Sequence, residues 1–311
     1  MEVLKQVLSD LRDIRGFDVD YYIEQKIKLI NEFFNSNGLD SAVIGLSGGV
    51  DSSVVYALLM EAQKAPGSPI KRVVGLIMPI KSTGTTGQHL AKEKAIALAE
   101  ILNGEYRTID LSSANLAYIK ESGFTGSPDP WAVGQLASIV RTPCLYFHAA
   151  LLQSEGYKSI VVGTTNRDEG SYIGFFGKAS DAMVDLQPIG DIHKSEVYQV
   201  AEKLGIPKAI TGDAPRGDVW DGKVDEEMIG APYWFLEMYL LLKDHKIPFS
   251  PEVGKCLSKS GILDFSSELD AYYQYSSAIE EIHRKNAHKY GVGSPAYFID
   301  VYRRKIEGGW S

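Results

Sequence analysis

The chain of 311 residues is poor in cysteine, with Cys144 and Cys256 only. They lie far apart and fit no CxxC spacing, which excludes a dithiol redox motif and the common cysteine-based zinc sites. Both sit among apolar residues and read as buried structural thiols. So few cysteines also fit a reducing compartment. Basic charge is short as well: 32 Lys and Arg against 40 Asp and Glu give a formal net charge of −8. That argues against a broad electrostatic grip on nucleic acid. No apolar stretch reaches the ~18 residues a membrane span needs. The N-terminal MEVLKQVLSDLRDIRG lacks the apolar region of a targeting peptide. Its Leu4, Val7, Leu8, Leu11 and Ile14 follow helical spacing instead. The expectation is a cytoplasmic protein without nucleic-acid or membrane partners. Internal repeats and low-complexity linkers are missing too.

What is present is a hydrophobic content of 44%, enough for a sizeable core. Short β-branched runs alternate with amphipathic segments. Strands are expected over 41–46, 72–78, 106–111, 158–163 and 184–189. Helices are expected at 21–34, 52–63, 88–102, 133–154 (bent or broken near Pro143) and 194–204. This alternation predicts an α/β fold: a doubly wound, parallel, five-stranded sheet covered on both faces. Extra helices are expected at both termini, over 1–37 and 225–311, within a single domain of 1–311. The aromatic stretch APYWFLEMYLLL reads as packing. In such sheets ligands bind beyond the carboxyl ends of the strands. Two polar loops fall there, VIGLSGGVDSSV (43–54) and GTTNRDEG (163–170).

In the first loop, Gly48 and Gly49 permit a tight turn and close approach to the backbone. Backbone N–H groups, the hydroxyls of Ser47 and Ser52, and the start of the next helix suit an anion such as phosphate. The common P-loop is excluded, because its lysine is missing. Asp51 is the unusual member. A carboxylate beside phosphate is repulsive unless a cation bridges them, so Asp51 implies Mg²⁺. The alternative is a Ser/Gly turn with Asp as a helix cap.

SGGVDSS resembles the pyrophosphate-binding loop of the ATP pyrophosphatase (PP-loop) superfamily, whose adenine nucleotide alpha hydrolase-like members cleave ATP between the α and β phosphates. Residues 163–207 are similar to the NAD synthetase family in particular. The matches are Gly163, Thr164 and Glu169; Gly174, Phe175, Phe176, Lys178 and Asp181; Asp185 and Pro188; and Lys194. DAPRGDVWDGKVDEEMIG and Ala287-His288-Lys289 are similar to later stretches of that family.

The resemblance implies that Asp51 and Glu169 hold Mg²⁺, and that catalysis rests on Asp51, Glu169 and Lys194. It places ATP against Leu46, Ser47, Gly48, Gly49, Asp51, Ser52, Met78, Arg141, Thr164, Lys194 and Arg216. It places the acid substrate near Lys178, Asp181, Asp185, His288 and Lys289. Ile139 falls where the family carries an arginine, and Arg216 where it carries Ser or Thr. Compensation between these two is one reading; a changed acid substrate and an arginine touching neither are the others. The implied activity is that of an ammonia-dependent NAD synthetase: deamido-NAD, ATP and ammonia give NAD, AMP and pyrophosphate. No stretch reads as the cysteine amidase domain that some members carry. A homodimer is implied as well. The alternatives are a related amide ligase for another carboxylic acid, a tRNA-modifying pyrophosphatase and a non-catalytic nucleotide-binding homologue.

Overall fold

The β-branched runs do form strands, and the inner ones are largely buried, whereas the edge strand at Glu105–Thr108 is partly exposed. β1 (Ser41–Gly45), β2 (Arg72–Ile77), β3 (Glu105–Thr108), β4 (Ser159–Val162) and β5 (Leu186–Gln187) are all parallel. Ala42, Val43 and Ile44 of β1 are fully buried, as a central strand requires. In this computed structural model, which describes residues 1–80, 87–126, 129–212, 224–245, 247–258, 261–290 and 297–298, the sheet order is β3-β2-β1-β4-β5, extended by a short edge strand at Tyr297–Phe298. That sixth strand carries no periodic signal, being two residues long.

The helices are α1 (Glu2–Arg15), α2 (Val19–Ser36), α3 (Val50–Lys64), α4 (Gly87–Ile101), α5 (Ser112–Glu121), α6 (Pro130–Ser154), α7 (Arg167–Gly170), α8 (Lys194–Lys203), α9 (Lys208–Thr211), α10 (Asp225–Ile229), α11 (Tyr233–His245) and α12 (Leu269–Asn286). α6 runs unbroken through Pro143. Proline removes one helical hydrogen bond, and here the bond lost is to the carbonyl of Ile139. Both residues are exposed, so water can take the place of that donor.

The C-terminal region departs from the helical expectation. Phe249–Ser250, Lys255–Ser258 and Gly261–Asp264 form a three-stranded antiparallel sheet. Its strands of two to four residues are too short to show alternation. Cys256 is buried in it, as a structural thiol should be. The terminal regions meet each other. Leu4, Val7, Leu8 and Leu11 of α1 join Phe235, Leu236, Phe265 and Tyr272 in one apolar cluster.

After β1 the chain builds outward through β2 and β3, then returns to place β4 on the other side of β1. The strand order therefore reverses between β1 and β4. Both polar loops leave from the carboxyl ends of these two strands, where a crevice is expected.

Candidate active site

The loop after β1 is set by its small residues. Gly48 has φ +83°, and a Cβ there would lie 2.2 Å from the backbone oxygen of Ala91 in α4. Only glycine fits. The Ser47 and Ser52 hydroxyls are 3.0 Å apart. Those of Ser52 and Ser53 donate to the Gly49 carbonyl at 3.1 and 2.8 Å. Gly49 is the N-cap of α3 and supplies no side-chain acceptor, which leaves the first-turn N–H groups facing the crevice end of the helix. Asp51 is not the cap. Its carboxylate turns across the crevice to the second loop.

There it meets a buried cluster. Lys194 Nζ donates to Asp51 Oδ2 at 2.5 Å and to Glu169 Oε1 at 3.1 Å. Asn166 Nδ2 donates to Asp51 Oδ1 at 3.0 Å. The Tyr233 hydroxyl donates to Glu169 Oε1 at 2.9 Å, and its ring centroid lies 5.3 Å from the ammonium. Asn166 also caps α7 by accepting the Glu169 N–H at 3.1 Å, so one amide ties both carboxylate residues together. Burial, aided by the Asp51 charge, pushes the Glu169 carboxyl up to about 7 against the opposing pull of Lys194. Burial works to lower Lys194, but Asp51 and Glu169 outweigh it and hold the group above its usual value, as an ammonium. Burial and then the Glu169 charge raise Tyr233, which stays a neutral donor.

Lys194 is aimed by the first turn of α8. Asp168 accepts the Lys194 N–H at 2.7 Å through one oxygen, and its other oxygen lies 2.6 Å from His193 Nδ1. Glu196 reaches back to the His193 N–H at 2.8 Å, completing a capping box. Asp191, just upstream, takes two 3.0 Å bonds from the fully buried Lys26 of α2.

A cavity opens beside this cluster, lined among others by Leu46, Ser47, Met78, Arg141, Thr164 and Asp181. Six of the residues expected to bind therefore line one cavity. Arg141 Nε donates to the Met78 carbonyl at 3.2 Å, which fixes the backbone where adenine is expected. The residues expected at the acid end are more scattered. Asp185 accepts the Val161 N–H at 2.7 Å. Asp181 caps the Gly177 N–H at 3.0 Å. Lys289 folds onto the Gly174 and Phe176 carbonyls at 2.9 and 2.6 Å. Burial lowers its ammonium from the ordinary lysine value. Lys178 and His288 are exposed. Arg216 lies outside the described residues. Ile139 is exposed on α6 and is not among the residues lining the cavity.

Sequence reasoning passed over Asn166, Asp168, His193 and Tyr233. The first two sit in the GTTNRDEG loop, where polar residues packed after a strand were themselves a signal. Tyr233 was hidden in an aromatic run whose other members lie in or pack against an apolar cluster.

The NAD synthase family model matches residues 22–290. The NH(3)-dependent NAD(+) synthetase of Methanosarcina acetivorans is 35% identical, over 76% of this chain and 85% of its own. That of Archaeoglobus fulgidus is 37% identical, over 71% and 82%. The solved structure of NMN synthetase from Francisella tularensis superposes with a TM-score of 0.69 at 26% identity, covering 89% of this chain and 98% of that one. The family match runs from within α2 to beyond α12 and takes in every element that carries a site residue. The chain therefore belongs to the NAD synthase family.

Proposed function

We propose that this enzyme amidates deamido-NAD with ammonia at the expense of ATP, releasing NAD, AMP and pyrophosphate. The observation that carries the reading is the convergence of Asp51 and Glu169 on Lys194 at the mouth of the Ser47 loop. Mg²⁺ would be held by the carboxylates of Asp51 and Glu169, hard oxygen donors of the kind it prefers, which the Lys194 ammonium draws together here. Bound there, the ion would neutralise charge on the departing pyrophosphate.

The chain's own groups supply the rest. Ser47, Gly48, Gly49 and Ser52 cradle the β and γ phosphates with N–H and hydroxyl donors. Leu46, Met78, Arg141 and Thr164 hold the adenosine end along the cavity wall. Lys194 would meet phosphate oxygens once the nucleotide is bound, and the Tyr233 hydroxyl keeps Glu169 aimed. The nicotinate carboxylate, held near Lys178, Asp181, Asp185, His288 and Lys289, attacks the α-phosphate and pyrophosphate leaves. Ammonia then attacks the acyl-adenylate carbonyl, AMP leaves, and nitrogen gives up a proton as the amide forms. Alignment of the reactants and exclusion of water account for much of the acceleration. Arg216 is assigned to ATP by resemblance alone.

Two further readings belong with this one. The enzyme is cytoplasmic, and it works as a homodimer. Along α6, Ala132, Ile139, Pro143, Phe147 and Ala150 are all exposed at helical spacing, which supports a stripe covered by a second copy. Ile139 is then an interface residue rather than a lost phosphate ligand. Phe147→Asp should shift sedimentation from dimer to monomer; an unchanged profile would remove this support.

The decisive assay incubates purified protein with deamido-NAD, ATP, Mg²⁺ and ammonium and follows NAD, AMP and pyrophosphate. ADP and phosphate as products would overturn the reading. A parallel arm with the acid whose amide is NMN distinguishes a mononucleotide synthetase, the activity named for the Francisella tularensis neighbour.

A further inference from the structure

We propose that Arg15 and Arg12, in the last turn of α1, are positioning residues for Lys194 and Tyr233. α1 lies ahead of the stretch that the family model matches. Its apolar residues Leu4, Val7, Leu8 and Leu11 are buried and dock the helix on their own. The two arginines sit in its last turn and reach in two directions. Arg15 donates from Nε and Nη2 to both carboxylate oxygens of Glu196, the Nη2 bond being 2.8 Å. Its Nη2 also bonds the Asp191 carbonyl at 2.8 Å. Arg12 grips Glu237 in the same two-pronged way, at 2.7 and 2.6 Å.

Each acceptor lies on the element that carries a site residue. Glu196 is two residues from Lys194, and its Oε2 also holds the His193 N–H that starts α8. Glu237 is one turn beyond Tyr233 on α11, whose first N–H is held by Glu226 at 2.7 Å. Lys194 and Tyr233 then meet on the same Glu169 oxygen. One short helix thus holds α8 and α11 at a fixed spacing, and the two donors to Glu169 inherit it.

Stability alone gives no reason for this arrangement. A buried ion pair contributes little net stability compared with apolar packing, because desolvation offsets the attraction. What a bidentate arginine adds is direction, since its planar fork fits a carboxylate in one orientation. Glu196 and Glu237 are both nearly inaccessible, with side-chain exposures of 4% and 2%. A tilt of either helix would break two bonds at once.

The proposal rests on the site described under Proposed function, and its test separates the two. Arg15→Gln and Arg12→Gln are compared with Leu8→Ala, which loosens α1 by packing alone. Each variant is assayed well below its own unfolding midpoint. Arg15→Gln should lower kcat and ATP affinity by about tenfold or more, the range seen when residues behind a direct ligand are removed. Arg15→Lys should recover part of the loss, and Leu8→Ala should stay within about twofold of the parent at a similar loss of melting temperature. If Arg15→Gln misfolds, Arg12→Gln, whose side chain is 45% exposed, carries the test under the same criteria. Arginine variants that only track Leu8→Ala in kcat and ATP affinity would overturn the proposal. ATP affinity is read by calorimetry without any acid substrate. A parent protein that binds ATP but makes no amide would therefore sink the functional reading and leave this inference standing or falling on its own data.

Discussion

Glu169 carries three demands at once. It must ionise to hold a cation, it is desolvated, and it shares one oxygen between Lys194 and Tyr233. Its carboxyl is raised to about 7 from an ordinary 4.5, so the folded protein binds a proton there that the unfolded chain has released. Linkage fixes the sign: this contribution to stability is complete below about pH 4.5 and disappears as pH rises through about 7. Glu169→Gln should flatten that part of the stability–pH curve in the ligand-free protein; chemical unfolding at several pH values reads it. The same substitution, and Asp51→Asn, should leave the fold intact and cut ATP cleavage at least about a hundredfold, as expected when a charge-stabilising group is lost. Near-normal turnover in either variant would falsify the metal assignment. Tyr233→Phe removes one bond to a charged group and should lower kcat/KM by about tenfold. It is a sharper test of the cluster, because the phenyl ring keeps the packing.

Among the elements, the loop between β1 and α3 is the most tightly determined. Gly48→Ala must strain a backbone at φ +83° and drive a methyl into Ala91. Loss of ATP binding with only a modest change in melting temperature is the expected outcome by calorimetry; ATP binding at parental affinity would show that the loop can rearrange. This loop was legible in the sequence because glycine, serine and aspartate each have a local reason to be there. The inner strands β1, β2 and β4 were legible for the same kind of reason, as buried parallel strands are continuous β-branched runs. The small antiparallel sheet was not, since strands of two to four residues are too short to show alternation. Tyr233 was not either: an aromatic residue at a helix start looks the same whether its hydroxyl points into core or at a carboxylate. Arg15 and Arg12 read as the basic last turn of an ordinary helix. Their partners, Glu196 and Glu237, are 181 and 225 residues away, and no local pattern links them.

Taken whole, the molecule should draw nitrogen only from ammonia, since neither cysteine is set up to attack glutamine. Cys144 is half-buried and Cys256 buried, and burial raises both thiols above their usual range. Replacing both by serine should leave ammonia-dependent synthesis largely intact, and glutamine alone should yield no NAD; robust glutamine-driven turnover would refute this. The reversal of strand order between β1 and β4 has a consequence in time as well as in space. Asp51 and Lys194 touch across 143 residues, and the chain between them must already have laid down β2, β3 and their helices. Contacts that close such long loops form late in folding. A ribosome that has released β1 through β3 holds a sheet with half a nucleotide pocket and no opposing charge for Asp51. During synthesis, and during refolding from denaturant, helical signal should return well before the protein can capture ATP. The nucleotide thus acts as a reporter for the last event in maturation, and a stalled or truncated chain ending before α8 should be unable to retain it.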